Sequence, residues 1–299
     1  MKKKLLSSSH IYAFGTVVLW ASAYVFTKVA LGYFSSSALG LLRYLAASAV
    51  LILIAAIKKI GLPDTRDIPK FFFSGAMGFT LYMVTFNKGS ETLTSTTGSV
   101  LIATVPIITA LCARFLFQER IRVAGWVAIG IEFCGVLILT LWNGVFSINQ
   151  GVIWMICAAV LLSGYNLTQR QYSKKYTAFQ STAYSIFAGT ILLLFFLPDA
   201  VTQIAAAPVN QILVIIYLGI FPSAIAYVLW TKALSIAEKT SDVTNYMFAT
   251  PLFSLLLGYI VIFEVPDIST FIGGAVILTG LILFSVVNNK AKPMPDEKR

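Results

Sequence analysis

Long runs of apolar residues, separated by short polar connections, occupy nearly the whole chain of 299 residues. A transmembrane helix needs about 20 predominantly apolar residues, whereas a membrane-spanning barrel shows alternating strands of about ten residues. The chain shows no such alternation, so we predict an all-α integral membrane protein. Its ten predicted transmembrane helices are residues 11–32, 38–58, 69–88, 95–117, 123–142, 151–171, 179–198, 211–232, 242–263 and 269–288.

The composition also favours a lipid bilayer. The chain is 58 % hydrophobic and 11 % charged, whereas an ordinary soluble chain is roughly 45–50 % apolar and about 25 % charged. The net charge of +10 does not indicate a nucleic-acid partner, because the positive residues lie in short connections and not on one amphipathic face. The first apolar run, from Ile11 to about Gly32, is too long for a signal peptide and lacks a small-residue cleavage site, so we interpret it as a retained span.

The distribution of Lys and Arg predicts the orientation in the membrane. Cytoplasmic connections of membrane proteins are enriched in these two residues. The five alternate connections that contain neither residue lie around residues 33–37, 89–94, 143–150, 199–210 and 264–268. We therefore predict that these connections lie outside and that both termini lie in the cytoplasm.

A repeat of about half the chain length relates two stretches. Residues 94–119 and 240–264 share a polar start, a central proline and a terminal glutamate, and an offset of 145 residues pairs Pro106 with Pro251. Five spans per half is an odd number, so the second half enters the membrane from the opposite side and the repeats are inverted. The predicted units are a first repeat at residues 1–147, a second repeat at 148–289 and a cytoplasmic tail at 290–299.

The glutamates that end the two stretches, Glu119 and Glu264, mark opposite faces of the predicted membrane protein. They would lie roughly 30 Å apart, which is the thickness of the hydrocarbon layer, and so they cannot act together on one substrate. We interpret them as matched anchors at the ends of spans, paired with a nearby Arg or with a helix end.

An ordered set of short motifs, which recurs in the second half, resembles the EamA-type transporters of the drug/metabolite transporter superfamily over residues 11–288. The motifs are Trp20-Ala21-Ser22-Ala23-Tyr24, Leu42-Arg43-Tyr44, the Thr/Ser-rich entry to the fourth span, Pro106, Gln118-Glu119-Arg120, the glycines of the fifth span, Glu264, Gly273 and Gly280. The resemblance implies a ten-helix fold of two inverted repeats with a central cavity lined mainly by spans 1, 3, 4, 6, 8 and 9. It also implies a transporter, commonly an exporter of amino acids, other metabolites or toxic compounds.

Aromatic and polar residues near the middle of several spans are candidates for binding a substrate. Tyr82 and Tyr227 are related by the offset of 145 and lie away from the interfacial belts where Tyr is common. Aromatic stripes also serve helix packing, and Ser or Thr often bonds only to its own helix. The predicted substrate-binding residues are Trp20, Tyr24, Lys28, Tyr82, Phe86, Ser99, Tyr165, Asn166, Tyr227, Trp230 and Asn245.

Two basic residues lie one or two turns inside the outer end of their spans. Lys28 shares a helix face with Trp20 and Tyr24, so it could attract a substrate carboxylate or pair with Glu91. Snorkelling of its ammonium group to the lipid headgroups is the simpler alternative. For Arg43 we favour a structural brace over a role in the site.

Glu132 is the acidic residue that lies deep in a span, and acidic groups there are costly unless they have a function. It is a candidate proton carrier, and the alternative is a protonated structural residue that packs against a neighbouring helix or against a partner subunit in a homodimer. Pro106, Pro222 and Pro251 lie within predicted spans, where each removes a helical hydrogen bond. They are candidate hinges.

These features favour a secondary transporter that works by alternating access, exports small organic metabolites such as amino acids, and is coupled to protons through Glu132. A passive facilitator and an integral-membrane enzyme are the alternatives. The enzyme is disfavoured because His10 is the single histidine, the cysteines lie in apolar runs without metal-ligand spacing, and no phosphate-binding glycine loop is present. We predict no cofactor and no metal, and a location in the cytoplasmic membrane of a prokaryote.

Overall fold

The computed structural model of the chain consists of helices. It describes residues 2–117, 123–142, 149–172, 175–236 and 245–289, and no β-strand occurs among them. The prediction of an all-helical protein is confirmed for this part of the chain. The motif Gln118-Glu119-Arg120 lies outside the described residues.

Five of the helical segments are long and apolar enough to cross a bilayer, and four shorter helices are also apolar. The long segments are Ser9–Leu31, Ser36–Ile57, Gln150–Gln169, Ala178–Ala205 and Val209–Ala233. The shorter ones are Ser95–Thr109, Val123–Leu139, Thr250–Ile262 and Ile268–Phe284. Backbone groups within a bilayer must find hydrogen-bond partners inside their own segment, which a helix provides. The chain is a multi-pass membrane protein.

The described α-helices are numbered here in chain order. They are α1 (Lys2–Leu31), α2 (Ser36–Ile57), α3 (Ile68–Gly75), α4 (Tyr82–Thr92), α5 (Ser95–Ile102), α6 (Val105–Phe117), α7 (Val123–Leu141), α8 (Gln150–Tyr172), α9 (Ala178–Leu193), α10 (Leu197–Ala205), α11 (Val209–Leu218), α12 (Ala226–Ile236), α13 (Thr250–Ile262) and α14 (Ile268–Asn289). Short 3-10 helices cover Thr65–Asp67, Leu194–Phe196 and Asn245–Ala249.

The predicted third and eighth spans each contain a π-helical turn in the middle. One turn covers Ala76–Leu81 between α3 and α4, and the other covers Gly219–Ile225 between α11 and α12. The repeat offset of 145 places residue 76 at residue 221, so the two turns occupy equivalent positions. Pro222 lies inside the second turn, where the widened helix accommodates its missing N–H donor.

The predicted fourth and ninth spans are interrupted before their prolines. Helix α5 ends at Ile102, and α6 begins at Val105 with Pro106 as its second residue. Helix α13 begins at Thr250 with Pro251 as its second residue, directly after a 3-10 helix. Because the N–H groups of a first helical turn lack an intrahelical partner anyway, each proline begins a new helix segment instead of breaking a hydrogen bond.

The two halves interlock through equivalent helix pairs. Helix α1 packs on α12 and α13 of the second half, while its counterpart α8 packs on α4, α5 and α6 of the first half. Helix α7 packs closely on its own counterpart, α14. The two halves therefore share an extensive interface.

Glycines allow the close approach of α7 and α14. A Cβ atom added at Gly135 would lie 2.6 Å from the Cγ1 atom of Ile277 and 2.8 Å from the carbonyl oxygen of Gly273. A Cβ atom added at Gly280 would lie 2.9 Å from the backbone nitrogen of Glu132. Small residues of this kind let transmembrane helices pack backbone to backbone.

We expect Gly135→Ala to destabilise the protein by about 1–3 kcal/mol, because backbone atoms of α14 cannot move aside as a flexible side chain can. Gly130→Ala is the matched control, since a Cβ atom there would meet no atom within 4 Å. The control should be neutral or slightly stabilising, because Ala is the better helix former. Thermal unfolding of both purified variants in detergent tests this, and equal stability of the two would contradict the close packing of α7 and α14.

Candidate functional site

A small cavity lies at the centre of the helix assembly, between the two halves. Its volume is about 40 Å³, close to the share of liquid volume that one water molecule occupies, about 30 Å³. The described residues that line it are Trp20, Ala23, Tyr24, Arg43, Tyr82, Phe86, Ser99, Ile102, Ala103, Leu162, Tyr227, Met247 and Thr250. They come from α1, α2, α4, α5, α8, α12 and α13 and from the interruptions beside α5 and α13.

Aromatic rings form most of the cavity wall. The ring of Trp20 lies 5.3 Å from that of Tyr227, and the ring of Tyr24 lies 5.3 Å from that of Phe86, both in edge-to-face contacts. Tyr82 packs on Phe86 with ring centroids 5.6 Å apart. Each of the two repeat-related tyrosines, Tyr82 and Tyr227, lies just beyond a π turn. These contacts give the cavity rigid, mainly apolar walls that carry phenol groups.

The structure brings together six of the eleven predicted substrate-binding residues, namely Trp20, Tyr24, Tyr82, Phe86, Ser99 and Tyr227. Tyr165 and Trp230 lie behind the wall, where Tyr165 contacts Phe79 and Tyr227, and Trp230 contacts Trp20. Asn166 is half-buried and does not line the cavity. The backbone of Asn245 begins a 3-10 helix, and its side chain lies outside the described residues.

The hydroxyl group of Ser99 is already used within its own helix. It donates a hydrogen bond of 2.7 Å to the carbonyl oxygen of Thr96. Such a hydroxyl can still accept a hydrogen bond from a ligand through its remaining lone pairs. Thr250 brings a second hydroxyl to the wall from the first turn of α13.

Arg43 is the charged residue that the sequence analysis left out of the site. Its side chain is 4 % exposed, and it provides the one charged group among the described cavity-lining residues. Its Nε donates to the hydroxyl of Ser223 at 2.5 Å, and its Nη1 lies 3.5 Å from the hydroxyl of Thr27. The sequence signal was that Arg43 is the single charged residue of α2.

Lys28 lies near the end of α1 in an ion pair and does not line the cavity. Its Nζ is 2.8 Å from Oε1 of Glu264 and donates to the carbonyl oxygen of Leu93. The other carboxylate oxygen of Glu264 accepts a 2.6 Å hydrogen bond from the backbone N–H of Ser95, the first residue of α5. The proposed alternative partner, Glu91, instead pairs with Lys88.

Glu264 therefore joins three parts of the fold at one end of the molecule. It follows α13, accepts a hydrogen bond from the start of α5, and pairs with α1. A carboxylate is favoured at a helix N-terminus, where N–H groups lack intrahelical partners and the helix dipole is positive. A neighbouring network, in which Thr97 and Asp267 both bond to the hydroxyl of Thr270, links α5 to α14 at this end.

A second polar cluster joins the connections at the other end of the α3–α4 segment. Asp67 accepts hydrogen bonds from Lys175 at 2.6 Å, from Lys70 at 2.7 Å and from the hydroxyl of Tyr176 at 2.8 Å. The hydrogen bond from Lys175 is the largest influence, and it holds the pKa of Asp67 well below its usual range. This cluster ties the connection after α2 to the connection before α9.

Glu132 lies on α7 away from the cavity. Its side chain is 4 % exposed, and neither carboxylate oxygen has a hydrogen-bond partner among the described residues. Its backbone faces Gly280 of α14. No group of three His, Cys, Asp or Glu side chains within the described ranges is arranged to hold a metal ion.

Comparison with known proteins gives consistent matches. The model of the EamA-like transporter family matches residues 7–141 and 149–286. The "Uncharacterized transporter YdfC" of Bacillus subtilis is 31 % identical over 97 % of this chain and 94 % of its own length. The "Probable terminal-alkyne amino-acid exporter" of Streptantibioticus cattleyicolor is 31 % identical over 90 % of this chain and 91 % of its own length.

One solved crystal structure also matches, with a TM-score of 0.65 and 20 % sequence identity. The match covers 96 % of this chain and 100 % of that chain. At this level of identity the likeness concerns the fold alone. It agrees with an all-helical assembly extending over nearly the whole chain.

We expect the ion pair between Lys28 and Glu264 to stabilise the protein by about 1 kcal/mol, because Glu264 is only 11 % exposed and its charge is poorly solvated. A double-mutant cycle with Lys28→Gln and Glu264→Gln, read by thermal unfolding, isolates this coupling. The pair Lys88–Glu91 is the control, with side chains 44 % and 37 % exposed, and its coupling should be a few tenths of a kcal/mol. Equal coupling in the two cycles would contradict the assignment.

Proposed function

Because this chain belongs to the EamA-like transporter family, we propose that it exports small organic metabolites such as amino acids by alternating access. The observation that carries this proposal is the central cavity, to which both halves contribute repeat-related aromatic residues. Transporters built from repeats hold their substrate near the middle of the membrane at the interface between the repeats. The Streptantibioticus relative is named a probable terminal-alkyne amino-acid exporter, which agrees with this substrate class.

We propose a topology of ten spans in two inverted repeats with both termini in the cytoplasm. Two equivalences between the halves support this arrangement. The π turn between α3 and α4 matches the one between α11 and α12. Helices α6 and α13 both begin with a proline as their second residue. The absence of Lys and Arg from alternate connections supports the orientation. The bacterial relatives agree with a prokaryotic cytoplasmic membrane, and a homodimer remains part of the hypothesis.

The cavity volume indicates a closed step of the proposed cycle. Ligand pockets commonly measure about 300–1,000 Å³, whereas this cavity measures about 40 Å³ and cannot hold an amino acid. Substrate entry therefore requires helices to separate at one end. The contacts of Glu264 with Lys28 and with the start of α5 hold one end together, and in the proposed orientation that end faces outside.

The interruptions beside the cavity are the proposed hinges. Pro106 lies three residues after Ala103 of the cavity wall, and Pro251 follows Thr250 of the wall directly. Pro222 lies in the second π turn, five residues before Tyr227. Few helical hydrogen bonds resist rotation at such points, so a segment can swing without unfolding. In this mechanism the cavity opens by bending at these positions.

Proton coupling through Glu132 is the finer part of the proposal. A buried carboxylate without a hydrogen-bond partner is far more favourable in its neutral form, so it can exchange a proton when water reaches it. Because Glu132 contacts α14 and does not line the cavity, it would act by changing the packing of α7 on α14 and not by touching the substrate.

We expect Tyr82→Ala to lower kcat/KM of transport by about tenfold, because it removes one aromatic wall of the cavity. Tyr82 is buried and packs on Phe86, so thermal unfolding of the purified variant is measured first to show that it is folded. Tyr259→Ala is the control, since Tyr259 lies on α13 with 60 % of its surface exposed. Counterflow of labelled amino acids into proteoliposomes measures the effect, and a wild-type rate in a well-folded Tyr82 variant would count against the central site.

We expect Glu132→Gln to retain substrate exchange and to lose its acceleration by a proton gradient, because Gln has a similar shape and cannot bind and release the proton. Exchange without a gradient and uptake with an imposed gradient are measured in the same vesicles. Gradient-driven transport equal to that of the wild type would leave Glu132 as a protonated packing residue, the alternative considered from the sequence.

A further inference from the structure

The charge of Arg43 has no described counter-charge. Its guanidinium group contacts two hydroxyl groups and the sulfur of Met83, at 3.9 Å, all of which are neutral. Burying an ion without an opposite charge is expensive in a protein interior and more so in a bilayer. One short hydrogen bond to Ser223 and two long contacts with neutral groups are weak compensation for that cost.

The acidic residues that the structure describes are all placed elsewhere. Six lie in connections or near helix ends with partners of their own, and Glu132 lies between α7 and α14. The six are Asp64, Asp67, Glu91, Asp199, Glu264 and Asp267. No described carboxylate is therefore available to neutralise Arg43 in this state.

We propose that Arg43 binds the carboxylate of the substrate, so that this transporter accepts organic molecules with a carboxylate group, amino acids among them, and rejects organic cations. The inference rests on the proposed function and names the chemical group that the central site recognises. Guanidinium binds carboxylate through two parallel N–H···O bonds, which gives both strength and orientation. The positive wall of the cavity would repel a cationic ligand.

The surroundings of Arg43 suit a molecule with one charged end and one apolar end. Tyr24, Tyr82 and Tyr227 line the same cavity as Arg43, and phenol groups can donate hydrogen bonds to a carboxylate. Ile102 and Leu162 provide apolar surface on the same cavity for a substrate side chain. This arrangement agrees with a site that has few polar groups and mainly apolar walls.

A brace between α2 and the second π turn is the alternative role of Arg43. A brace requires only the hydrogen bond from Nε to Ser223, which a neutral donor could make without burying a charge. The two roles differ in their effect on substrate choice. Loss of a brace lowers stability and leaves the preference for carboxylates unchanged, whereas loss of the group that binds the carboxylate removes that preference.

The experiment measures substrate preference in proteoliposomes that contain the full-length protein. Labelled leucine and phenylalanine are the transported probes, and each competes with its unlabelled amino acid, its amide and the amine that lacks the carboxyl group. We expect the wild type to bind the amino acids about tenfold or more tightly than the amides and amines, the range expected for a charge-assisted bidentate pair.

In Arg43→Gln, the amino acids should bind about as weakly as their amides and amines. In Arg43→Lys, the preference for the carboxylate should be intermediate, because the charge remains and the fork geometry is lost. Lys88→Gln is the control for net charge, since Lys88 lies near the end of α4 in an exposed pair with Glu91. Ser223→Ala tests the brace, because it removes the acceptor of Nε while the guanidinium group stays.

Three results would separate the hypotheses. Failure of the wild type to transport either amino acid would overturn the proposed substrate class and this inference with it. Transport without preference for the carboxylate would overturn the inference alone, and so would a preference retained in folded Arg43→Gln. If Arg43→Gln does not fold, Arg43→Lys decides in its place, because it keeps the charge and loses the fork geometry, so a wild-type preference for the carboxylate in folded Arg43→Lys would overturn the inference.

Discussion

The requirement that every buried backbone group find a hydrogen-bond partner shapes this structure more than any other constraint. In a bilayer, irregular backbone is tolerated only where protein covers it. Both π turns obey this rule: Gly78 and Phe79 are buried in the first, and Pro222, Ser223 and Ala224 are buried in the second. A central cavity with interrupted helices can therefore exist only because each half covers the interruptions of the other.

The same cost of desolvation accounts for two different arrangements of positive charge. Lys28 lies near a helix end, where Glu264 neutralises it and the N-terminus of α5 supports the pair. Arg43 lies deeper, and its described partners are neutral. A charge that stays buried without an opposite charge is most readily explained by a ligand that brings one. The position of a basic residue along its span thus distinguishes Lys28, which forms a structural ion pair, from Arg43, which is a candidate for binding the substrate carboxylate.

Hydrophobic patterning was sufficient to predict an all-helical membrane protein, and the repeat offset predicted the equivalence of Tyr82 and Tyr227. It could not predict the π turns, because a π turn depends on the helix that packs beside it, as the contact of Gly219 with α2 illustrates. Nor could it identify the partner of Lys28. Glu264, the partner in the structure, is distant in sequence, whereas Glu91 lies near the outer end of the predicted third span and was therefore an equally good candidate. Helix rotation decided which aromatic residues reached the cavity, and rotation is fixed by tertiary contacts.

The polar clusters at the two ends of the molecule bear on which helices can move. At one end Ser35, before α2, bonds to Asp199 and Gln203 of α10, and at the other end Asp67 bonds to Lys175 before α9. Helices α2 and α9 are thus tied to the opposite half near both ends. An interruption separates α5 from α6 and another precedes α13, and the described links at the first end are the contacts of Glu264 and the bond between Thr97 and Thr270. In the proposed cycle, α2 and α9 form the stationary frame, Arg43 belongs to that frame, and the interrupted helices open and close around a substrate that the frame holds.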